Sequence, residues 1–271
     1  MNSKYLALTS LAAAMALTAC GGGGGGDNNA TSTGTTPANP PVTTTPTPAP
    51  TVTASAEGAY EGTVSNGLTH LSLVLEDDRI YSIYGNTVNG VFGVSRFLRG
   101  AGKSANGSYT ASEVREYGSG ASATPYTLKA TYVSGSSLNG SLTNGTVNTT
   151  FTGAPLSNST YVYNTPARLA NISGAWNLTD LAGTKVALTI GADGKFTGTS
   201  GSCAITGSLT PFASGKNVFT FSLTAGPAPC AHPAEVTTGI AVEFTIGSVR
   251  QLMAAGTGTT LVNGTALIGA R

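Results

Sequence analysis

Beyond Gly58, hydrophobic and polar positions alternate with a period of two. Examples are Leu71-Ser-Leu-Val-Leu75, Tyr126-Thr-Leu-Lys-Ala-Thr-Tyr132, Val186-Ala-Leu-Thr-Ile190 and Val218-Phe-Thr-Phe-Ser-Leu223. That period, with its β-branched and aromatic residues, predicts short strands with two distinct faces. Asn66-Gly67, Asn89-Gly90, Asn106-Gly107, Asn139-Gly140, Asn144-Gly145 and Asn263-Gly264 punctuate the runs. Asn and Gly tolerate positive φ, so these pairs predict tight turns between antiparallel strands. The remaining apolar run, Tyr5 to Leu17 behind Lys4, is shorter than the roughly 20 residues that span a bilayer and suits the apolar core of an export signal. No other segment reads as an amphipathic helix of useful length.

The strand pattern occurs twice. Gly58-Ala59-Tyr60 matches Gly174-Ala175-Trp176, and at the same offset Gly67 falls on Gly183, Val74 on Ile190, Asp77 on Asp193, Arg79 on Lys195, Ile80 on Phe196 and Gly85 on Gly201. Leu142-Thr-Asn-Gly-Thr146 similarly resembles Leu261-Val-Asn-Gly-Thr265. Matches in common order indicate duplication. The expected fold is therefore all-β: two small, related antiparallel β-barrels or β-sandwiches, joined near Asn164-Thr-Pro-Ala-Arg168. In each copy Tyr60 or Trp176 is expected to put a large ring into the core, and Asp77-Asp78 or Asp193-Gly194 to form a hairpin turn.

Leu17-Thr-Ala-Cys20 resembles the lipobox of bacterial lipoprotein signal peptides. That resemblance implies cleavage before Cys20, lipidation of its thiol and a palmitate-type acyl chain on the new amino terminus. Gly21, rather than Asp, follows the sorting pattern that favours the outer membrane. Gly21–Gly26 is an unbroken glycine run, and the Thr/Pro-rich stretch after it predicts an extended spacer reaching on the order of 100 Å. The predicted organisation is a lipoprotein signal peptide (1–19), a lipidated Cys20 and tether (20–56), β domain 1 (57–165) and β domain 2 (166–271).

Charge narrows the function classes. Only 9% of residues are charged, 13 basic against 12 acidic, so there is no electrostatic footprint for nucleic acid. After Cys20 only Cys203 and Cys230 remain, with no CxxC spacing and only His232 nearby as a metal-ligand type. In an exported chain that pattern predicts a disulfide rather than a metal pair.

Catalytic signals are weak. His70 borders the Leu71 strand and is expected at a surface or barrel rim, His232 sits in a Pro-rich loop, and no GxSxG occurs. Gly100-Ala-Gly-Lys-Ser104 resembles the end of a phosphate-binding P-loop, but Phe97 stands where the first glycine belongs, so the stretch reads as a plain loop. Glu76-Asp77-Asp78 lacks the spaced oxygens of a Ca²⁺ loop and reads as a turn. Arg96, Arg99 and Lys103 form a basic cluster around Phe97.

Taken whole, the chain resembles an uncharacterised family of Gram-negative, especially betaproteobacterial, outer-membrane lipoproteins. The residues carrying this are Gly58-Ala-Tyr-Glu-Gly-Thr63, Leu73-Val-Leu-Glu-Asp77, Gly201-Ser-Cys-Ala-Ile-Thr-Gly207, Pro211-Phe-Ala-Ser-Gly215, Cys230 and Gly264-Thr-Ala-Leu-Ile-Gly269. The layout of Cys, glycine tether and β domains is also similar to surface lipoproteins of the factor H-binding and transferrin-binding type. The expectation is a non-enzymatic envelope lipoprotein, attached to the membrane by its lipid, exposed to the periplasm or the cell surface. It would present two β domains to a protein, glycan or small ligand, with no cofactor, no metal and no nucleic acid. The alternatives are a structural or assembly role on the periplasmic side, and a hydrolase with a cryptic site.

Overall fold

The computed structural model describes residues 54–119, 122–157 and 159–271. The expected signal segment, Cys20 and nearly all of the expected tether therefore lie outside the described residues.

Eight strands follow one another in the first half: β1 (Gly58–Val64), β2 (Thr69–Val74), β3 (Arg79–Val88), β4 (Val91–Ala105), β5 (Ser108–Tyr117), β6 (Thr124–Val133), β7 (Ser137–Thr143) and β8 (Asn148–Pro155). Each pairs antiparallel with its neighbour, and β8 pairs with β1 to close a barrel. The second half repeats this after a connector and one short helix, α1 (Leu169–Ile172). Its strands are β9 (Gly174–Thr179), β10 (Lys185–Ile190), β11 (Lys195–Ser200), β12 (Cys203–Pro211), β13 (Phe219–Ala225), β14 (Val236–Ile246), β15 (Val249–Gly258) and β16 (Gly264–Ala270), with β16 closing on β9. Closure leaves no unpaired sheet edge in either barrel.

Most of the duplicated residues occupy equivalent stations, but Gly85 lies inside β3 whereas Gly201 falls just after β11 with φ 57°. Tyr60 and Trp176 are both almost fully buried. Each bonds the carbonyl four residues earlier: Tyr60 Oη–H donates to Ala56 O at 2.9 Å, and Trp176 Nε1–H donates to Ile172 O at 2.6 Å. The segment preceding the first strand is thus held against that end of each barrel. Asp77 and Asp193 both accept a backbone N–H two residues on, from Arg79 and Lys195. Asp78 and Gly194 both have positive φ, of 62° and 80°.

Asn89-Gly90 and Asn106-Gly107 form two-residue hairpin loops with positive φ at both positions. Asn139-Gly140, expected as a turn, instead lies inside β7. There the lack of a side chain matters more than the turn tendency, because a Cβ on Gly140 would sit 2.3 Å from Lys129 O. Gly100–Ser104, expected as a loop, lies inside β4. A Cβ on Gly102 would meet the Tyr109 ring and hydroxyl at 2.2–2.8 Å, and one on Gly100 would come within 2.9 Å of the Val114 side chain, so these glycines make room for core side chains across a bulged register.

Barrel 2 is filled by a continuous apolar cluster including Trp176, Leu188, Phe196, Phe219 and Phe221. Outward positions such as Lys185, Thr189, Lys195, Thr197 and Thr199 are exposed. Apolar inside and polar outside is the reverse of a lipid-facing barrel. Among the described residues no helix is long and apolar enough to cross a membrane. Cys203 at the start of β12 is disulfide-bonded to Cys230, which pins the β13–β14 loop to β12.

A third apolar cluster joins the barrels. It combines Leu73, Tyr81, Ile83, Phe92, Phe97 and Tyr117 of barrel 1 with Ile240, Phe244, Met253, Ala266 and Ile268 of barrel 2. Tyr117 stacks on Phe97 with centroids 4.6 Å apart, and its hydroxyl donates to Leu261 O at 3.0 Å. Its ring also lies against Gly264, where a Cβ would come within 2.5 Å. The outer faces of β2 and β3 are therefore buried like a second core.

Candidate functional site

The two ends of barrel 1 differ. At the end where β1 begins, the incoming chain and the Asp78 turn make a dense polar seal. Ala56 N–H donates to Ser104 Oγ (3.0 Å), Ser104 Oγ–H donates to Asp78 Oδ1 (2.6 Å), Tyr109 Oη–H donates to Asp78 O (2.6 Å), and Tyr132 Oη–H donates to Ala54 O. The carboxylate of Asp78 is committed to this seal, consistent with the turn reading of Glu76-Asp77-Asp78. No group of three or more potential metal ligands gathers among the described residues.

The opposite end, where the β1–β2 and β7–β8 loops lie, holds a cup of about 280 Å³. Val64, Leu68, Leu142 and Val147 form its aliphatic wall, and Tyr84 and Tyr126 contribute rings. Arg96 Nη1 donates to Glu116 Oε1 at 2.7 Å inside this cup. Glu116 is largely enclosed and Arg96 more exposed, with side-chain exposures of 13% and 57%. The hydrogen bond to Glu116 raises the Arg96 pKa, so the guanidinium stays charged. Burial, followed by the Glu116 charge, pushes the Tyr84 and Tyr126 hydroxyls up, so both rings are neutral at physiological pH. The cup therefore combines an ion pair, two phenols and aliphatic surface.

The basic cluster seen in the sequence does not act as one. In β4, Phe97 packs in the interface between the barrels, while Arg96 on the alternate face points into the mouth. Arg99 and Lys103 lie on the outer side with Phe97, away from the mouth.

Below the cup, His70 is inside the barrel with 1% exposure rather than at a surface or rim. Alternation explains this: Leu71 and Leu73 face the second barrel, so His70, Ser72 and Val74 face inward. His70 Nε2 lies 2.8 Å from Thr152 O, which can only accept, so Nε2 carries the proton. Nδ1 then accepts from Ser72 Oγ–H at 2.7 Å, and Ser72 Oγ accepts from Ser82 at 2.7 Å. Burial lowers the His70 pKa, which favours this neutral form. His70, Ser72, Ser82 and Tyr84 line a small cavity of about 10 Å³, near the size of one water.

A serine beside a histidine invites comparison with a hydrolase, and the geometry argues against it. The second histidine nitrogen is committed to a backbone carbonyl where a triad carries a carboxylate. Ser72 and Ser82 are buried, with no neighbouring donor pair for an oxyanion among their hydrogen bonds. His232 is exposed in the loop beyond Cys230.

No residue of the mouth stands out as ligand-binding in the sequence alone. Its members come from seven strands and two turns, and only the pairing of β4 with β5 brings Arg96 to Glu116. No family model, no curated protein and no solved structure matches this chain.

Proposed function

We propose that this protein is an outer-membrane lipoprotein, held by lipid on Cys20, that binds rather than transforms its ligand, and that the mouth of barrel 1 is the binding site. The observation that carries the reading is the Arg96–Glu116 pair inside a cup walled by Tyr84, Tyr126 and aliphatic side chains. A few convergent polar groups in an otherwise apolar concavity are the usual make-up of a ligand site. This combination suits a sugar: C–H faces pack on tyrosine rings, while hydroxyls bond the guanidinium and the carboxylate. A glycan end is therefore the ligand class we assign.

The direction of the chain supports presentation. The segment leading from Cys20 enters barrel 1 at the sealed end, by Ala56 and Tyr60, and the mouth lies at the other end. The lipobox, Gly21 and the long spacer favour an anchored module standing off the outer membrane. The sealed His70–Ser72 pair supports a non-enzymatic role.

Screening the purified chain on glycan, host-protein and cell-wall arrays tests the reading. Binding to a glycan that is lost in Tyr126→Ala supports it, whereas silence across the glycan array, or binding indifferent to that substitution, removes its basis. Protease shaving of intact cells then decides orientation: digestion of the barrels places them on the surface, and protection places them on the periplasmic side.

A further inference from the structure

The polar interior below the cup is joined to the cup through one residue. The register of barrel 1 sets His70 of β2 directly opposite Tyr84 of β3, and Tyr84 directly opposite Arg96 of β4. Arg96 in turn carries the ion pair with Glu116 of β5. Tyr84 is the one described residue that lines both the cup and the 10 Å³ cavity beside His70, Ser72 and Ser82. At the offset that relates the two halves, barrel 2 has Val186, Leu188, Gly198 and Ser200 in place of His70, Ser72, Ser82 and Tyr84. Closing an eight-stranded barrel therefore does not require this polar line.

Each hydroxyl on the line has one proton to give, which fixes the direction of its hydrogen bonds. With His70 neutral, Ser72 donates to Nδ1, so Ser82 donates to Ser72. Ser82 is also the hydrogen-bond partner of the Tyr84 hydroxyl. With its own proton spent, Ser82 can only accept there, so the Tyr84 O–H points inward. Protonating Nδ1 reverses every link: His70 donates to Ser72, Ser72 to Ser82, and Ser82 to Tyr84 Oη. The Tyr84 proton must then turn into the cup, where Glu116 is the carboxylate whose charge reaches it. Few groups bias His70 itself. Glu61 of β1 is the carboxylate whose charge favours its protonation. From β8 it meets the Phe151 ring, edge-on at 5.5 Å, and the Thr152 carbonyl, and from β3 the Tyr84 phenol.

We propose that His70 controls the mouth through this line. Neutral His70 leaves the Glu116 carboxylate open to a ligand hydroxyl, whereas protonated His70 turns the Tyr84 hydroxyl onto Glu116 and occupies it. His70 is thus a positioning residue that acts on a ligand through Tyr84. Control of binding rests on the reading of the mouth as a ligand site, while the turning of Tyr84 does not.

The test is NMR of the purified full chain, labelled with 13C at tyrosine Cζ and histidine Cε1, with no ligand present. Tyr84→Phe and His70→Asn identify the two resonances. As the pH falls from 7.5, the Tyr84 signal should move through the same midpoint as His70, below the ordinary histidine value of 6.5. Ser82→Ala and Ser72→Ala each cut the line, so His70 should still titrate while the Tyr84 signal loses that step. A Tyr84 signal that stays fixed until the chain unfolds overturns the proposal. So does a step that both serine variants retain, since it then arises from the cup and not from His70. Affinity for the strongest glycan of the array should fall several-fold across the midpoint in the parent and not in Ser82→Ala. A flat affinity with the Tyr84 step intact overturns the control of binding. A silent glycan array removes the reading of the mouth and leaves the Tyr84 step in place, so the two failures are told apart.

Discussion

Gln251 in β15 grips Phe92 in β4: its Oε1 accepts the Phe92 N–H at 3.0 Å, while its Nε2 donates to Gly90 O at 3.0 Å. The side chain is wholly buried, so both ends of one amide are satisfied by a hairpin of the other barrel. A buried amide with both ends paired fixes relative position as well as contributing energy. Together with the apolar cluster around Phe97 and Tyr117, it ties the two barrels to each other.

Gln251→Ala leaves the buried Phe92 N–H without a partner, which costs about 1–3 kcal/mol. Urea denaturation of the parent chain should show one cooperative transition, and the variant should unfold at lower urea with the two barrels beginning to separate. Unchanged coincident unfolding would mean that the apolar cluster alone couples them.

His70 makes stability depend on pH. Burial holds its folded pKa below the ordinary 6.5, so between those two values the unfolded chain binds the proton and the folded chain does not. Stability is therefore full above about pH 6.5 and falls as the pH drops towards the folded pKa, by at most about 1.4 kcal/mol per pH unit. Glu243 works in the opposite sense, because burial raises its pKa above 4.5 and the folded state gains protons first. Thermal unfolding between pH 7.5 and 5.5, run in parallel on the parent chain and His70→Asn, isolates the histidine. The slope there should flatten in His70→Asn, and an unchanged slope would refute the assignment.

The Cys203–Cys230 bond joins residues 27 apart in sequence. On the chain-entropy estimate, a loop of that length contributes about 3–4 kcal/mol. Replacing both cysteines by serine should lower the melting temperature accordingly and leave the 280 Å³ cup in the other barrel unchanged in its ligand binding. Peptide mapping of the native chain should recover the two half-cystines as one linked pair.

Mass spectrometry of the membrane-extracted protein tests the anchor. The chain should begin at Cys20 and carry acyl mass there, and Cys20→Ala should remain unprocessed and unacylated. A mature protein beginning elsewhere, without lipid, contradicts the lipobox reading.

The sequence carried the strands, most turns and the duplication because each rests on local chemistry. Asn89-Gly90 and Asp77-Asp78 specify backbone shape by themselves, and Tyr60 and Trp176 mark the same station in each repeat. What it did not carry is which face of a strand is inside. Leu71-Ser-Leu-Val-Leu75 alternates whether its leucines or its serine face the lumen, and only the second barrel, covering Leu71 and Leu73, decides that Ser72 and His70 turn inward. The mouth was hidden for a related reason: Arg96 and Glu116 are 20 residues apart and meet only across a ladder. Gly100–Ser104 and Asn139-Gly140 misled because a glycine that admits a neighbouring ring or carbonyl looks, in sequence, like a glycine that turns the chain.

The central claim, that the mouth of barrel 1 is the binding site, is tested most directly by calorimetric titration of the strongest glycan found on the array. The parent chain is compared with Tyr126→Ala and Glu116→Gln, and with Lys195→Ala on the exposed surface of barrel 2 as a control. Both mouth variants should lose affinity at least tenfold while the control matches the parent. Equal affinity in all four proteins would contradict the account.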